Sequence, residues 1–185
     1  MFNRQNAGAE KAKHSLALAL LSLMKEMPFE QIRVIDIAER ADYTRQTFYQ
    51  HFKSKQAVLE YYINDLYYQS FQEFGGQKGS SLAQLFNKLA LDWQKHSAGI
   101  AAIINNDLTN YMEQCYPKYV RHFLENSIWQ LKESSLEKQE YIYHFIAGGQ
   151  INLLAWWIHQ DQQLNSTQLA ILLQDTMVPF ITTKR

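Results

Sequence analysis

The sequence predicts an all-α protein of about nine helices, with a small three-helix lobe at the N-terminus followed by a larger helical bundle. Three observations carry this expectation. Apolar residues recur at i, i+3, i+4 and i+7 along most of the chain, no run alternates apolar with polar residues as a strand would, and Val34 to Lys55 reads as two short helices joined by a tight turn. With 185 residues the chain can bury a core in each lobe, and the division is expected at residue 56, giving units 1–56 and 57–185.

Ala12, Leu16, Leu20, Leu23 and Met27 set a first helix over Ala9 to Met27, ended by Pro28-Phe29. In the next helix Val34, Ile37, Ala38 and Ala41 form an apolar stripe, while Asp36, Glu39 and Arg40 face water. Asp42-Tyr43 makes the turn, because Asp tolerates a left-handed backbone. Thr44 is then placed to accept main-chain N–H groups as N-cap of a helix starting near Arg45. There Phe48 and Phe52 share one face, which leaves Arg45, Gln46, Tyr49 and Gln50 on the others.

Charge follows the same layout. No acidic residue occurs from Tyr43 to Leu59, whereas Arg45, His51, Lys53 and Lys55 supply positive charge suited to a polyanion. Residues 1–56 hold nine Lys and Arg against six Asp and Glu, and the remainder hold nine against twelve, so a net charge of zero conceals a positive first lobe.

A long helix is expected over Gln56 to Phe74, with Leu59, Tyr62, Ile63 and Leu66 inward and the run Gly75-Gly76-Gln77-Lys78-Gly79-Ser80-Ser81 as its break. Further helical runs fall near 81–97, 100–114, 117–133, 136–159 and 166–182, separated at Gly99, Pro117, Ser134-Ser135 and Asn165-Ser166. Tyr141 to Ile158 is largely apolar, but His144, Gln150, Asn152 and Gly148-Gly149 interrupt it, so it reads as a buried helix and not a membrane span. The N-terminus has no apolar run of signal-peptide type, and the single Cys115 suits a reducing compartment, so a cytoplasmic protein is expected. Cys115 itself reads as a small core residue.

The segment Ala41 to Lys55, A-D-Y-T-R-Q-T-F-Y-Q-H-F-K-S-K, resembles the signature of the TetR family of bacterial transcriptional regulators, typically A-G-V-S-x-G-T-x-Y-x-H-F-x-S-K. The resemblance is strong over about residues 10–60. Asp42 stands where Gly is usual, Gln46 replaces a common Gly and adds a possible base reader, and Arg33 stands where a Thr or Ser cap is common, which weakens the start of its helix. It implies a dimer on a double-stranded DNA operator, in which Arg45, Gln46 and Gln50 meet base edges and Thr44, Thr47, Tyr49, His51 and Lys55 hold phosphates. It also implies a larger lobe that dimerises and takes a small-molecule effector. One subgroup, serving dihydroxyacetone kinase operons, has a similar R-Q-T-F-Y recognition helix and works as a co-activator; repression is the first expectation and activation through a protein partner the alternative.

Three sets of residues are candidates in the larger lobe. Gly148, Asn152 and Ala155 give one helix a narrow face of small residues, and with Leu169 and Leu173 of the last helix they are expected to form the homodimer seam. Trp93, Tyr111, Phe123, Trp129, Tyr143 and Trp156 could line an organic effector's pocket, although aromatics serve most often as core. Asp92/His96, His122/Glu125 and Glu140/His144 each set a carboxylate and an imidazole about a turn apart, so His96, His122 and His144 define a minority metal-sensing alternative to exposed pairs that never meet. No cofactor is expected. The chain carries no Glu-x-x-His pair, Gly-rich phosphate loop or nucleophile elbow, which leaves an enzyme poorly supported.

Overall fold

The computed structural model describes residues 4–72 and 81–184, within which there are nine α-helices and one two-stranded sheet. The expected end of the long helix at Phe74 and its glycine-rich break lie outside the described residues, apart from Ser81. Helix α1 (Arg4–Met24) buries Ala12, Leu16, Leu20 and Leu23, as the periodicity predicts, and leads through Pro28 into a short 3-10 turn (Phe29–Gln31). Helices α2 (Val34–Arg40) and α3 (Arg45–His51) pack on α1 and on each other. Ile37, Ala38, Phe48 and Phe52 are buried among them, with Val34 and Ala41 half-buried at the edges.

Helix α4 (Lys55–Gln72) belongs to both lobes, since it packs on α1 near its start and on the bundle helices beyond. The bundle comprises α5 (Leu82–Lys95), α6 (Ser97–Ile104), α7 (Thr109–Asn126), α8 (Leu136–His159) and α9 (Ser166–Met177). Helix α5 lies along α9, α7 against α4 and α8, and α6 against both α1 and α8. Between α4 and α7 the core is an aromatic stack: Tyr67 lies 4.9 Å from Tyr116, and Phe71 5.9 Å from both Tyr116 and Tyr119, centroid to centroid.

Several boundaries differ from the sequence expectation, each for a local reason. Gly99 lies inside α6, not between helices; a Cβ there would come within 2.6 Å of the Tyr62 hydroxyl, so the glycine serves the close approach of α6 to α4. The run 100–114 is divided at Asp107, which has a left-handed φ of 57°. Pro117 lies within α7, where burial of Tyr116, Val120, Phe123 and Leu124 along the same helix offsets the hydrogen bond that proline cannot donate. Helix α7 stops at Asn126, and the last helix at Met177. Beyond them β1 (Trp129–Leu131) and β2 (Ile181–Thr183) pair antiparallel, with Leu131 opposite Ile181 and both buried; strands of three residues are too short to give a readable alternation. Lys184 fastens this ribbon by donating to the carbonyls of Leu124, Glu125 and Ser127 at 2.7, 3.0 and 2.7 Å, the unpaired groups at the end of α7. No helix among the described residues is long and apolar enough to cross a membrane.

Candidate nucleic-acid interface

The turn between α2 and α3 has the geometry its residues require. Asp42 takes φ 59°, a conformation open to Asp at modest cost. The Thr44 hydroxyl accepts the Thr47 N–H at 3.0 Å and lies 2.9 Å from the Thr47 hydroxyl, which closes the first turn of α3. The expected weak start of α2 is repaired by a neighbouring side chain: the Asp36 carboxylate accepts the Arg33 main-chain N–H at 2.8 Å and pairs with the Arg33 guanidinium at 2.6 Å. That pairing holds the Asp36 carboxyl below the ordinary carboxylate range.

Burial of Phe48, with its ring 6.1 Å from that of Phe52, fixes which way α3 faces. Arg45, Gln46, Tyr49 and Gln50 are exposed, Thr47 and His51 half-buried, and the Arg45 guanidinium lies 5.5 Å over the Tyr49 ring. Four polar side chains, one of them cationic, therefore project from one short helix. Ion pairs absorb other cations of the lobe: Arg40 makes a two-pronged pair with Glu26 at 2.7 Å in both contacts, and Lys13 pairs with Glu10. Among the described residues Arg45 and Lys53 carry no ion pair, so positive charge is left near α3.

Lys55, expected to hold a phosphate, is engaged elsewhere. Its ammonium donates to the carbonyls of Phe29, Glu30 and Ile32 at 2.7, 3.0 and 3.0 Å and lies 4.6 Å from the centre of the Phe29 ring. Three donors meet three acceptors, which makes it a cap for the 3-10 turn. The sequence gives no sign of this, because the acceptors are main-chain atoms more than twenty residues away.

In the larger lobe the expected sets separate. Leu169 and Leu173 are fully buried within the chain where α9 packs along α5, so they cannot belong to a seam between chains. Gly148, Asn152 and Ala155 stand instead on an outer face of α8 that also carries exposed Tyr141, Phe145 and Trp156, with Ile171 and Leu172 exposed on α9. The six aromatics do not gather around one cavity either. Trp93 and Phe123 are fully buried core, Trp129 lines a groove with β2, and Trp156 is 68 % exposed. A groove of about 300 Å³ between α4 and α7 is lined by Tyr68, Phe71, Lys118, Tyr119 and His122, of which the sequence reading named only His122, as a metal candidate. The carboxylate and imidazole pairs likewise diverge: Asp92 takes Lys88 and Ser70, Glu140 takes Arg121, and His122 faces Asn126. No three His, Cys, Asp or Glu side chains among the described residues come together to hold a metal ion.

Comparison with known proteins agrees with this geometry. The profile of the bacterial regulatory proteins of the tetR family matches residues 18–62, and that of a transcriptional regulator C-terminal region matches residues 80–178. No curated protein matches the chain in sequence. Similar solved structures include a TetR transcriptional regulator from Streptococcus agalactiae 2603V, at 21% identity over 93% of this chain and 96% of that one, with a TM-score of 0.64. The dihydroxyacetone kinase operon activator DhaS is similar at 17% identity, 92% and 98% coverage and a TM-score of 0.59. The fatty acid degradation regulator FadR from Bacillus halodurans is similar at 14% identity, 89% and 93% coverage and a TM-score of 0.56. At these identities the likeness is one of fold.

Proposed function

Because the chain belongs to the TetR family of bacterial transcriptional regulators and has that family's helix-turn-helix DNA-binding fold, we propose that it is a cytoplasmic, effector-responsive repressor that binds an inverted-repeat operator as a homodimer. The observation that carries this is the outward set Arg45, Gln46, Tyr49 and Gln50 on a helix oriented by buried Phe48. Arg45, Gln46 and Gln50 reach base edges in the major groove, and Thr44, Thr47, Tyr49 and His51 contact phosphates, with Lys53 added and Lys55 removed from that group. The DNA-binding unit spans residues 1–56, with α4 as the joint to the dimerising and effector-binding unit 57–185. A second copy covers the face of α8 that presents Tyr141, Phe145, Gly148, Asn152 and Trp156, because isologous pairing is what presents two recognition helices to successive grooves.

The effector is an organic molecule with an apolar part, entering the groove between α4 and α7 beside Phe71 and Tyr119. Binding there acts on α4, and if the molecule favours the form that cannot hold DNA, operator affinity falls by the ratio of its affinities for the two forms. A second reading, activation, is favoured by the match of Arg45-Gln46-Thr47-Phe48-Tyr49 to the helix of regulators serving dihydroxyacetone kinase operons. Selection of bound fragments from random DNA by the purified protein, followed by transcription from a promoter carrying the enriched motif, tests both. The expected result is a two-part inverted motif and reduced transcription; raised transcription selects the activator reading, and enrichment of no motif contradicts both.

A further inference from the structure

The amide of Asn106 makes three hydrogen bonds, two of which cross from the larger lobe to the first. Asn106 follows α6, in the turn closed by left-handed Asp107. Its Nδ2 donates to the Ala102 carbonyl at 2.8 Å and to the Met24 carbonyl at 3.1 Å, while its Oδ1 accepts the Phe29 N–H at 2.6 Å. Each partner is a main-chain group of the kind that helix ends leave unpaired: Ala102 near the end of α6, Met24 at the end of α1, and Phe29 opening the 3-10 turn. One half-buried side chain of the larger lobe thus closes the corner between α1 and the 3-10 turn.

The same corner is held from its other side by Lys55. The Phe29 main chain donates its N–H to Asn106, and its carbonyl accepts from the Lys55 ammonium. From Phe29 the chain runs through Ile32 and Arg33 directly into α2 and then α3. A shift of this corner relative to α6 would move both helices together, because Ile37, Ala38 and Phe48 pack into one buried cluster with α1.

We propose that Asn106 is a positioning residue that sets the angle of the helix-turn-helix on the dimerising lobe, and through it the spacing of DNA half-sites the dimer accepts. This rests on the DNA-reading dimer proposed above. A dimer with two rigidly mounted recognition helices tolerates one half-site separation, since neighbouring separations rotate one half-site around the duplex. With the joint loosened, each α3 still reads its own half-site, but adjacent separations become accessible.

The experiment is fragment selection from a library carrying the wild-type half-sites with the spacer varied base pair by base pair, using the full chain and its Asn106→Ala, Asn106→Asp and Asn105→Ala variants. Asp keeps an acceptor for the Phe29 N–H but loses both donors. The expected result is that Asn106→Ala and Asn106→Asp keep the half-site sequence, accept neighbouring spacers, and lose roughly fivefold to tenfold in affinity at the wild-type spacer, the worth of one to two net hydrogen bonds. Asn105→Ala, at the exposed neighbour, is expected to select like the wild type. Either Asn106 variant choosing the wild-type spacer with wild-type sharpness, while folded by circular dichroism and dimeric, overturns the proposal alone. Loss of folding in both also overturns it, since Asn106 would then be a stability residue and not a joint. A wild-type protein that selects no two-part motif overturns the dimer reading and this proposal with it.

Discussion

Two lysines two residues apart have different work. Lys53 is exposed and carries no ion pair among the described residues, whereas Lys55 caps the 3-10 turn through three carbonyls. Lys53→Ala is expected to lower the slope of log affinity against log salt by about 1 and leave stability alone. Lys55→Met is expected to cost about 2 kcal/mol of stability, from lost charge-assisted hydrogen bonds, and to leave that slope unchanged. Denaturant unfolding and salt titration of DNA binding separate the two. At the end of α5, burial and then the Lys95 charge push His96 below the ordinary histidine value of 6.5, opposed by Asp92 and Asp65, with His14 adding slightly to the depression. The unfolded chain therefore takes up a proton more readily than the folded one. Stability from this site is complete above pH 6.5 and is lost as pH falls through that value toward the folded pKa. A thermal midpoint that drops from pH 8 to 5, with a smaller drop for His96→Gln, is the expected outcome.

Helices were legible where one periodic face meets one buried neighbour. The stripe in α2, the Thr44 cap and the Phe48 and Phe52 pair follow from spacing alone, and the structure places each as read. Legibility ended where groups distant in sequence decide: the lysine caps, the closeness of Gly99 to Tyr62, and the pairing of β1 with β2 across fifty residues or more. Leu169 and Leu173 of α9, expected at a seam between copies, pack instead on the chain's own α5, because either surface meets the same apolar demand and spacing alone does not distinguish them. At the scale of one element, Phe48 is the test. It is fully buried and orients α3, so Phe48→Ala is expected to cost about 3–5 kcal/mol in denaturant unfolding. A smaller loss than about 1 kcal/mol would show that α3 is held mainly from elsewhere.

For the whole molecule, the proposed symmetric dimer, reading DNA through two copies of the same helix, depends on the α8 face and the α3 face together. A Cβ added at Gly148 would meet nothing within 4 Å in the single chain, so Gly148→Leu is expected to fold normally yet shift sedimentation toward monomer, as is Trp156→Glu on the same face. Variants that remain dimeric would place the seam on another face. The most direct test of the reading itself is fragment selection with Gln46→Ala beside the wild type. Gln46 is exposed on α3 and takes no part in its core, so its loss is expected to relax base choice at one position in each half-site, symmetrically, at about 1–3 kcal/mol on the preferred sequence, with the rest of the motif kept. A selected motif unchanged at every position, or affinity lost equally on all sequences, would contradict base reading by this helix.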